Sequence, residues 1–241
     1  MNLVIIGYGK MGKEIERVAL ERNHNIVARI DGEKDWETHS AALKEAAVAI
    51  DFSTAHSAAD NIRRCFKLGL PVVCGTTGWL DQLIDIKNDC AQNEQAFFYA
   101  PNFSVGVNLF FEVNKSLAQL MNVRPEYEVA IEEIHHEMKT DAPSGTAIKL
   151  AEDIVAQMNR KKGWAHKAQA NMGEIGIESV RVGAEPGTHI VSYESLFDVI
   201  EIKHTAKNRR GFAIGAIMAA EWMEGKKGFY GMKDMLLSKY K

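Results

Sequence analysis

"NLVIIGYGKMGKEIERVALERNHNIVARID", residues 2–31, decides the fold of the first half of this chain. Val4, Ile5 and Ile6 form a short continuous apolar run, the pattern of a strand covered on both faces. A helix from about Lys10 to Arg22 places Met11, Ile15, Val18 and Ala19 on one side, and a second strand follows over Ile26 to Ile30. The joint between strand and helix is Gly7-Tyr8-Gly9-Lys10-Met11-Gly12, a GxGxxG. Its first glycine permits a tight turn, its second lets the backbone approach a pyrophosphate, and its third allows close packing of helix on strand. The helix amino terminus then faces the negative charge. Three glycines recur in unrelated turns, but here they sit between strand and helix. Asp31 ends the next strand at about the 20-residue spacing of the acid that accepts the ribose 2'-hydroxyl. Dinucleotide binding is therefore expected. An uncompensated acid at Asp31 disfavours a 2'-phosphate, and Gly32 cannot contribute a cation. Lys10 and Lys34 are the nearby candidates, so NADH is expected to be favoured with NADPH left open.

The alternation continues. "AAVAIDFS" (46–53) reads as a third strand, with Ser53 or Thr54 as cap of a helix running to about Leu68. "LPVVCGTTGW" (70–79) and "AFFYAPNFS" (96–104) supply two more strands. In an open parallel sheet ligands bind beyond the carboxyl ends of the strands, where all these loops fall. Gly75-Thr76-Thr77-Gly78 is either a turn that offers backbone groups to a nicotinamide or a plain helix-start turn. The segment over Val105 to Met121 is a strongly apolar helix, with Leu109, Phe110, Val113, Leu117 and Leu120 available for burial.

Size and composition bound the function. The 241 residues suit one large domain or two modest ones, with 46% hydrophobic and 25% charged residues. A formal net charge of -3 provides no long-range attraction for nucleic acid or an anionic membrane surface. Cys65, Cys74 and Cys90 show no CxxC spacing, which fits a reducing compartment. No secretory leader pattern and no run of about 18 apolar residues is seen, so a cytoplasmic protein without a membrane span is expected.

After Pro125 the pattern changes. "EYEVAIEEIHH" (126–136) alternates as a strand, with Tyr127, Val129, Ile131 and Glu133 facing one way. Further strands are expected over 174–183, 189–195 and 196–205, and helices over about 146–159 and 209–225. This predicts an α+β domain with a mixed or antiparallel sheet. Residues 160–173 read as a loop or lid. "GFYGMKDML", near the end of the chain, is placed back on the first domain.

"IEEIHHEMKTDAPSGTA" (131–147) crowds Glu132, Glu133, His135, His136 and Lys139 ahead of a Pro-Ser-Gly-Thr turn. The adjacent histidines do not face alike on regular structure, and Pro143 disfavours helix at Ala142. The helix after Gly145 has free N–H groups that, with the Ser144 and Thr146 hydroxyls, form a receptor for a carboxylate or phosphate. Lys139 supplies the countercharge. A histidine of near-neutral pKa can donate a proton to an atom receiving charge. The same residues also fit a solvated surface cluster. Zinc would want about three protein ligands at recognised spacing, and HHxxK offers a lysine, so no metal is expected.

Taken together, "GYGKMG", "DFS" (51–53), "GTTG" (75–78), "APNFSVGVN" (100–108), "EEIHHEMKTDAPSGTA", "RVGAEPGTHIVSYES" (181–195) and "IKHTAKNRRGFAIGAIMAAEWM" (202–223) resemble the dihydrodipicolinate reductase family from end to end. The HHxxKxDxPSGTA string is highly specific, whereas the first-domain motifs fit many dehydrogenases. The resemblance implies reduction of a cyclic unsaturated imine dicarboxylate to tetrahydrodipicolinate in the diaminopimelate route of lysine biosynthesis, with hydride delivered by NADH or NADPH. It implies His135 as proton donor and Lys139 as its partner, and His136, Ser144, Gly145 and Thr146 as the carboxylate-binding surface. For the cofactor it implies Gly7, Gly9, Lys10, Met11, Gly12 and Asp31, the loop with Gly75, Thr76 and Thr77, the stretch Ala100, Pro101, Asn102 and Phe103, and Arg209. It also implies a homotetramer built through the second domain. Many members carry an arginine where this chain has Gly32, and another in the glycine loop where it has Lys10; both departures weigh against an NADPH preference.

The expected architecture is α/β: a Rossmann-like dinucleotide-binding domain over 1–103, completed by 209–241, and an α+β substrate-binding and oligomerisation domain with a mixed sheet over 104–208. A dehydrogenase for another acid would keep the first domain and change the second. A non-enzymatic NAD sensor would keep Gly7, Gly9, Gly12 and Asp31, with little reason to keep His135 beside Lys139.

Overall fold

In the computed structural model, which describes residues 1–238, the chain opens with β1 (Asn2–Ile6), α1 (Lys10–Glu21) and β2 (Asn25–Ile30). Then come α2 (Glu33–Thr38), α3 (Ser40–Lys44), β3 (Val48–Asp51), α4 (Ala58–Lys67), β4 (Val72–Cys74), α5 (Leu83–Gln92) and β5 (Ala96–Tyr99). The long α6 (Val105–Met121) leads to β6 (Glu128–His135), α7 (Gly145–Gln157), β7 (Gly163–His166), β8 (Glu174–Arg181), β9 (Thr188–Glu194) and β10 (Val199–Thr205). The chain returns through α8 (Arg210–Trp222), β11 (Gly228–Tyr230) and α9 (Met232–Leu237). Residues 239–241, part of the segment expected to complete the first domain, lie outside the described residues.

Two compact units result: Met1–Val105 with Arg210–Lys241, and Gly106–Arg209. In unit 1 the described residues form a six-stranded parallel sheet in the order β11-β5-β4-β3-β1-β2. The continuous apolar run of β1 has its reason in two cores. Leu3 and Ile5 join Ile15 and Val18 of α1 and Ala216 and Ile217 of α8, while Val4 and Ile6 join Ile62 and Phe66 of α4 and Ile86 of α5. The strand order reverses between β1 and β3, and a cleft of about 380 Å³ opens there, lined among others by Gly7, Gly9, Asp31, Phe52 and Ser53. That is the switch-point crevice of a doubly wound sheet. In the returning segment Gly228, Phe229 and Tyr230 pair in parallel with β5.

Unit 2 is built on a five-stranded mixed sheet in the order β10-β9-β6-β8-β7. β6 runs parallel to β8 and antiparallel to β9. Its alternation buries Val129, Ile131, Glu133 and His135. The first two enter a core with Leu150, Ala151 and Ile154 of α7 and Phe110 and Ala118 of α6. The same period therefore carries a carboxylate and an imidazole inward at the end of the strand.

Three local expectations change. In α6 the buried stripe is Val107, Phe110, Asn114, Ala118 and Met121, while Leu109, Val113 and Leu120 are exposed. The helix is apolar on both sides, and its inner face carries Asn114, whose amide donates to the Leu150 carbonyl at 3.1 Å. Residues 160–173 are not a lid: they contain β7, which pairs with β8 in parallel as an edge strand. Ser53 and Thr54 do not cap α4, which begins at Ala58 after Ser57; the Ser53 hydroxyl donates to Asp51 at 2.9 Å instead.

Gly215 of α8 sits where a Cβ would stand 1.8 Å from the Phe103 carbonyl oxygen, whereas at Gly211 of the same helix nothing lies within 4 Å. Gly215→Ala is expected to lower the stability of unit 1 by about 3 kcal/mol, the upper end of overpacking costs. Gly211→Ala should leave it unchanged or raise it by up to about 1 kcal/mol. Urea melts of the two variants check this, and equal effects would contradict the packing described.

Candidate active site

The cofactor side of unit 1 grows from the first βα joint. Gly7 has φ +86°, and a Cβ on it would lie 2.4 Å from the Phe52 carbonyl oxygen. A Cβ on Gly12 would lie 2.3 Å from the Gly7 carbonyl oxygen, so α1 packs on the turn only with glycine there. At Gly9, the N-cap of α1, the space a Cβ would take is open. An exposed helix amino terminus with bare backbone is what a pyrophosphate needs, so these residues fit a dinucleotide. Asp31 is held at the cleft by its Oδ1, which accepts the Tyr8 N–H at 2.8 Å. Trp36 also lines the cleft, with the Arg64 guanidinium 5.3 Å over its ring and paired to Glu33 at 2.7 Å.

Beneath this cleft lies a carboxylate with no solvent exposure, Asp51 at the end of β3. It accepts from the hydroxyls of Thr76 (2.5 Å) and Ser53 (2.9 Å) and the amide of Asn61 (3.1 Å). Burial pushes the Asp51 carboxyl up, against the lowering effect of those donors. Asp51 thus ties the loop after β3 to the loop after β4. The Thr76 side chain serves this tie and is buried; Thr77 is exposed. Gly75 leaves room for the Phe52 ring, whose Cζ would lie 2.2 Å from a Cβ there. At the end of β5, Ala100 and Phe103 are buried, Pro101 is exposed, and the Asn102 side chain accepts the Ser104 N–H at 2.8 Å. Lys10 is exposed and Met11 half-buried at the start of α1. Arg209 falls on the other side of the division: it is the exposed last residue of unit 2.

Unit 2 gathers the crowded residues around Glu133, which has no solvent exposure. Its Oε1 accepts from the Arg181 guanidinium at 2.9 Å and from the Ser144 N–H at 3.1 Å. Its Oε2 stands 2.9 Å from Nδ1 of His135 and 3.9 Å from Nε2 of His189. The two imidazoles meet edge to face at 5.1 Å. Burial pushes the Glu133 carboxyl up, but Ser144 and Arg181 outweigh it and leave it below the ordinary range. Desolvation holds the His135 imidazole below its usual value, with Glu133 opposing. His189 is pushed down to about 3 by burial and then by the neighbouring His135.

Arg181 also ties the loop after β6. Its guanidinium donates to the carbonyls of Lys139 (3.3 Å) and Asp141 (2.6 Å). Lys139 then points its ammonium at Asp141, 2.7 Å from both carboxylate oxygens. His136 is half-buried in the same loop. A cis Ala142–Pro143 peptide leads into α7. Ser144 is buried, and its hydroxyl accepts the Ala147 N–H at 3.2 Å and pairs with His189 Nε2 at 3.0 Å. The N–H and the hydroxyl of Ser144 are thus engaged in holding the turn. The helix-end donors left for an anion are the N–H groups of Gly145 and Thr146, with the Thr146 hydroxyl.

Glu133, His135 and His189 each offer a ligand atom within 4.8 Å of one another. Arg181 already neutralises Glu133 and the Ser144 hydroxyl already holds His189 Nε2. With a guanidinium in contact and an ammonium in the next loop, this cluster suits a proton better than a divalent cation. Sequence reasoning assigned no role to Glu133, Arg181, His189, Asp51 or Asn61. A signal existed for two of them: Glu133 shares the inward period of Val129 and Ile131, and Asp51 is a charge ending a wholly apolar strand.

A doubly wound sheet with a dinucleotide crevice at its switch point, and a second unit holding a buried histidine, a lysine and a helix amino terminus, define a nicotinamide-dependent oxidoreductase. The two signatures described as dihydrodipicolinate reductase, N-terminus and C-terminus, match residues 1–103 and 106–236. The chain is 49% identical, over the full length of both, to 4-hydroxy-tetrahydrodipicolinate reductase of Christiangramia forsetii. It is 35% identical to the protein of that name from Methanosarcina barkeri, over 98% of this chain and 99% of the other. A solved structure of dipicolinate-bound dihydrodipicolinate reductase from Paenisporosarcina sp. TG-14 shares the fold with a TM-score of 0.80 at 24% identity, covering 97% of this chain and 98% of that one. The chain belongs to the dihydrodipicolinate reductase family.

His189 makes the stability of unit 2 depend on pH. Its folded pKa of about 3 lies below the unfolded value of about 6.5. Between those values the unfolded chain binds the extra proton, so the stabilisation is complete above about pH 6.5 and is lost as pH falls toward 3. From about pH 7.5 to about pH 5 unit 2 is expected to lose on the order of 1–2 kcal/mol. Denaturation at both pH values, in wild type and His189→Asn, checks this; an equal slope in the variant would contradict it.

Proposed function

We propose that His135, Lys139 and the amino terminus of α7 carry the reaction that family membership gives this chain: NAD(P)H-dependent reduction of dihydrodipicolinate to tetrahydrodipicolinate in lysine and diaminopimelate biosynthesis. The observation that carries the reading is a nearly buried imidazole, His135, held on a carboxylate at the end of β6, with Lys139 and the start of α7 following in the same loop. The nicotinamide, when bound, supplies the hydride. His135 then supplies the proton from Nε2, since Nδ1 faces Glu133. Nε2 is left uncovered by Gly187, where a Cβ would stand 3.0 Å from it. Lys139, His136 and the free N–H groups of Gly145 and Thr146 hold the substrate carboxylates. Asp141 occupies the Lys139 ammonium in this structure, and a substrate carboxylate would compete for it. A dianion beside His135 favours its imidazolium, so binding the substrate also loads the acid. Orientation and preset charge supply most of the barrier lowering.

NADH is the preferred donor on this reading. The cleft is lined by the carboxylates of Asp31 and Glu33, and among its lining residues there is no lysine or arginine to meet a 2'-phosphate. Unit 1 accordingly holds the cofactor through Gly7, Gly9, Gly12 and Asp31 and the loops at 75–77 and 100–103. We also infer a homotetramer. β10 is an outermost strand of the mixed sheet, and Leu196 and Phe197 beside it are 96% and 92% exposed; an unpaired edge next to bare apolar side chains is a surface for a second copy. No helix among the described residues is long and apolar enough to cross a membrane. The three cysteines are free and buried, which suits the cytoplasm.

Steady-state assays with freshly generated substrate test the reading. His135→Gln and Lys139→Ala are each expected to lower kcat/KM by about 10²- to 10⁴-fold while NADH binding to the protein is unchanged. Wild type is expected to show a higher kcat/KM with NADH than with NADPH. Full activity in His135→Gln would remove it as the acid, and a strong NADPH preference would contradict the account of the cleft.

A further inference from the structure

We propose that Glu133, clamped by Arg181, is the positioning residue of the proton donor: it holds His135 with Nδ1 inward and Nε2 outward, and the same clamp sets the loop that carries Lys139. This rests on the reading of His135 as the acid. Three observations carry it. First, Glu133 has no solvent exposure, and its two oxygens are divided between structure and chemistry: Oε1 takes the Arg181 guanidinium and the Ser144 N–H, and Oε2 stands 2.9 Å from His135 Nδ1. Among the described residues neither Glu133 Oε2 nor His135 Nδ1 makes a hydrogen bond, so the 2.9 Å approach is an ion-pair contact between two buried atoms that no hydrogen bond engages. Second, Arg181 stands directly opposite His135 in the β6–β8 register and reaches the Lys139 and Asp141 carbonyls with the guanidinium that holds Glu133. One residue thereby fixes the acid and the cation relative to each other. Third, the outward nitrogen is kept clear by Gly187, whose φ of +145° and missing side chain leave Nε2 uncovered.

The arrangement has a chemical consequence. With a carboxylate on Nδ1, the imidazolium that donates from Nε2 is favoured, and the neutral ring left after donation keeps its remaining proton on Nδ1. Reprotonation then occurs at the nitrogen that faces substrate or water. The charged and titratable groups facing His135 are Glu133 on its own strand, Arg181 from β8, His189 from β9, and His136 and Lys139 from the loop, with Asp141 on Lys139. Among these the anion in contact is Glu133, and the cation clamping it is Arg181.

The test is the pH dependence of kcat and KM between about pH 5 and about pH 9 in wild type, His135→Gln, Glu133→Gln and Arg181→Gln. A general acid gives a limb of kcat/KM that falls as pH rises. Removing the Glu133 charge is expected to move that limb about one unit toward acid. This costs about tenfold above the limb and little below it, with KM nearly unchanged. Removing the Arg181 charge is expected to move the limb the opposite way while raising KM, because the Lys139 loop loses its tie. A merely structural role would lower activity evenly at every pH with the limb unmoved, and that result overturns the proposal. Shifts of the same sign in the two variants also overturn it, and if Glu133→Gln does not fold, the direction of the Arg181→Gln shift decides. An unchanged rate and limb in His135→Gln would overturn the reading of His135 itself, an outcome separate from the other two.

Discussion

A carboxylate with no access to water, Glu133, is the constraint on which the second unit is organised. Burying such a charge is unfavourable unless it is paired and hydrogen-bonded, and here Arg181, the Ser144 N–H and His135 share that task. Removing one partner of a buried pair typically costs about 3–5 kcal/mol, so the cluster is held as a whole. Its members come from β6, β8, β9 and the turn before α7, which means that the sheet, the loop and the helix start are fixed by one charge. The order this imposes is also what the proposed proton transfer asks of the site: an imidazole with one nitrogen fixed and the other free, and a lysine whose loop is tied to Arg181.

Asp51 plays the corresponding part in the first unit. It too ends an apolar strand, is fully buried, and gathers donors from neighbouring elements, in this case Ser53 and Thr76 from the loops after β3 and β4 and Asn61 from α4. The difference lies in charge compensation. Glu133 has a guanidinium in contact, and its carboxyl is held down; Asp51 has only neutral donors, and burial pushes its carboxyl up. One cluster therefore keeps a charge beside a neighbouring imidazole, and the other shapes the loops at the carboxyl ends of β3 and β4.

Much of this was legible in the sequence. The strand–glycine turn–helix of residues 2–31 determines the parallel sheet and its crevice, because the spacing of glycines and apolar residues is a local property. The alternation of residues 126–136 puts Glu133 on the face of Val129 and Ile131, which the structure buries. What was not legible came from contacts distant in the chain. Arg181 meets Glu133 across 48 positions and His189 meets Ser144 across 45, and no local period encodes such pairings. The engagement of the Ser144 N–H and hydroxyl in the turn is of the same kind. In α6 the hydrophobic residues cover both faces, so the apolar pattern alone did not mark the one that packs on Leu150 and its neighbours. β7 escaped notice because four residues with a glycine at the start carry too little pattern to mark a strand.

On the proposed arrangement Glu133 dictates which nitrogen of His135 carries the proton. Nitrogen-15 spectra of the histidine rings in labelled wild-type protein, with the His135 signals assigned by their loss in His135→Gln, read this directly. With Glu133 facing Nδ1, neutral His135 is expected to be protonated on Nδ1 with Nε2 bare. A neutral ring protonated on Nε2 would contradict it.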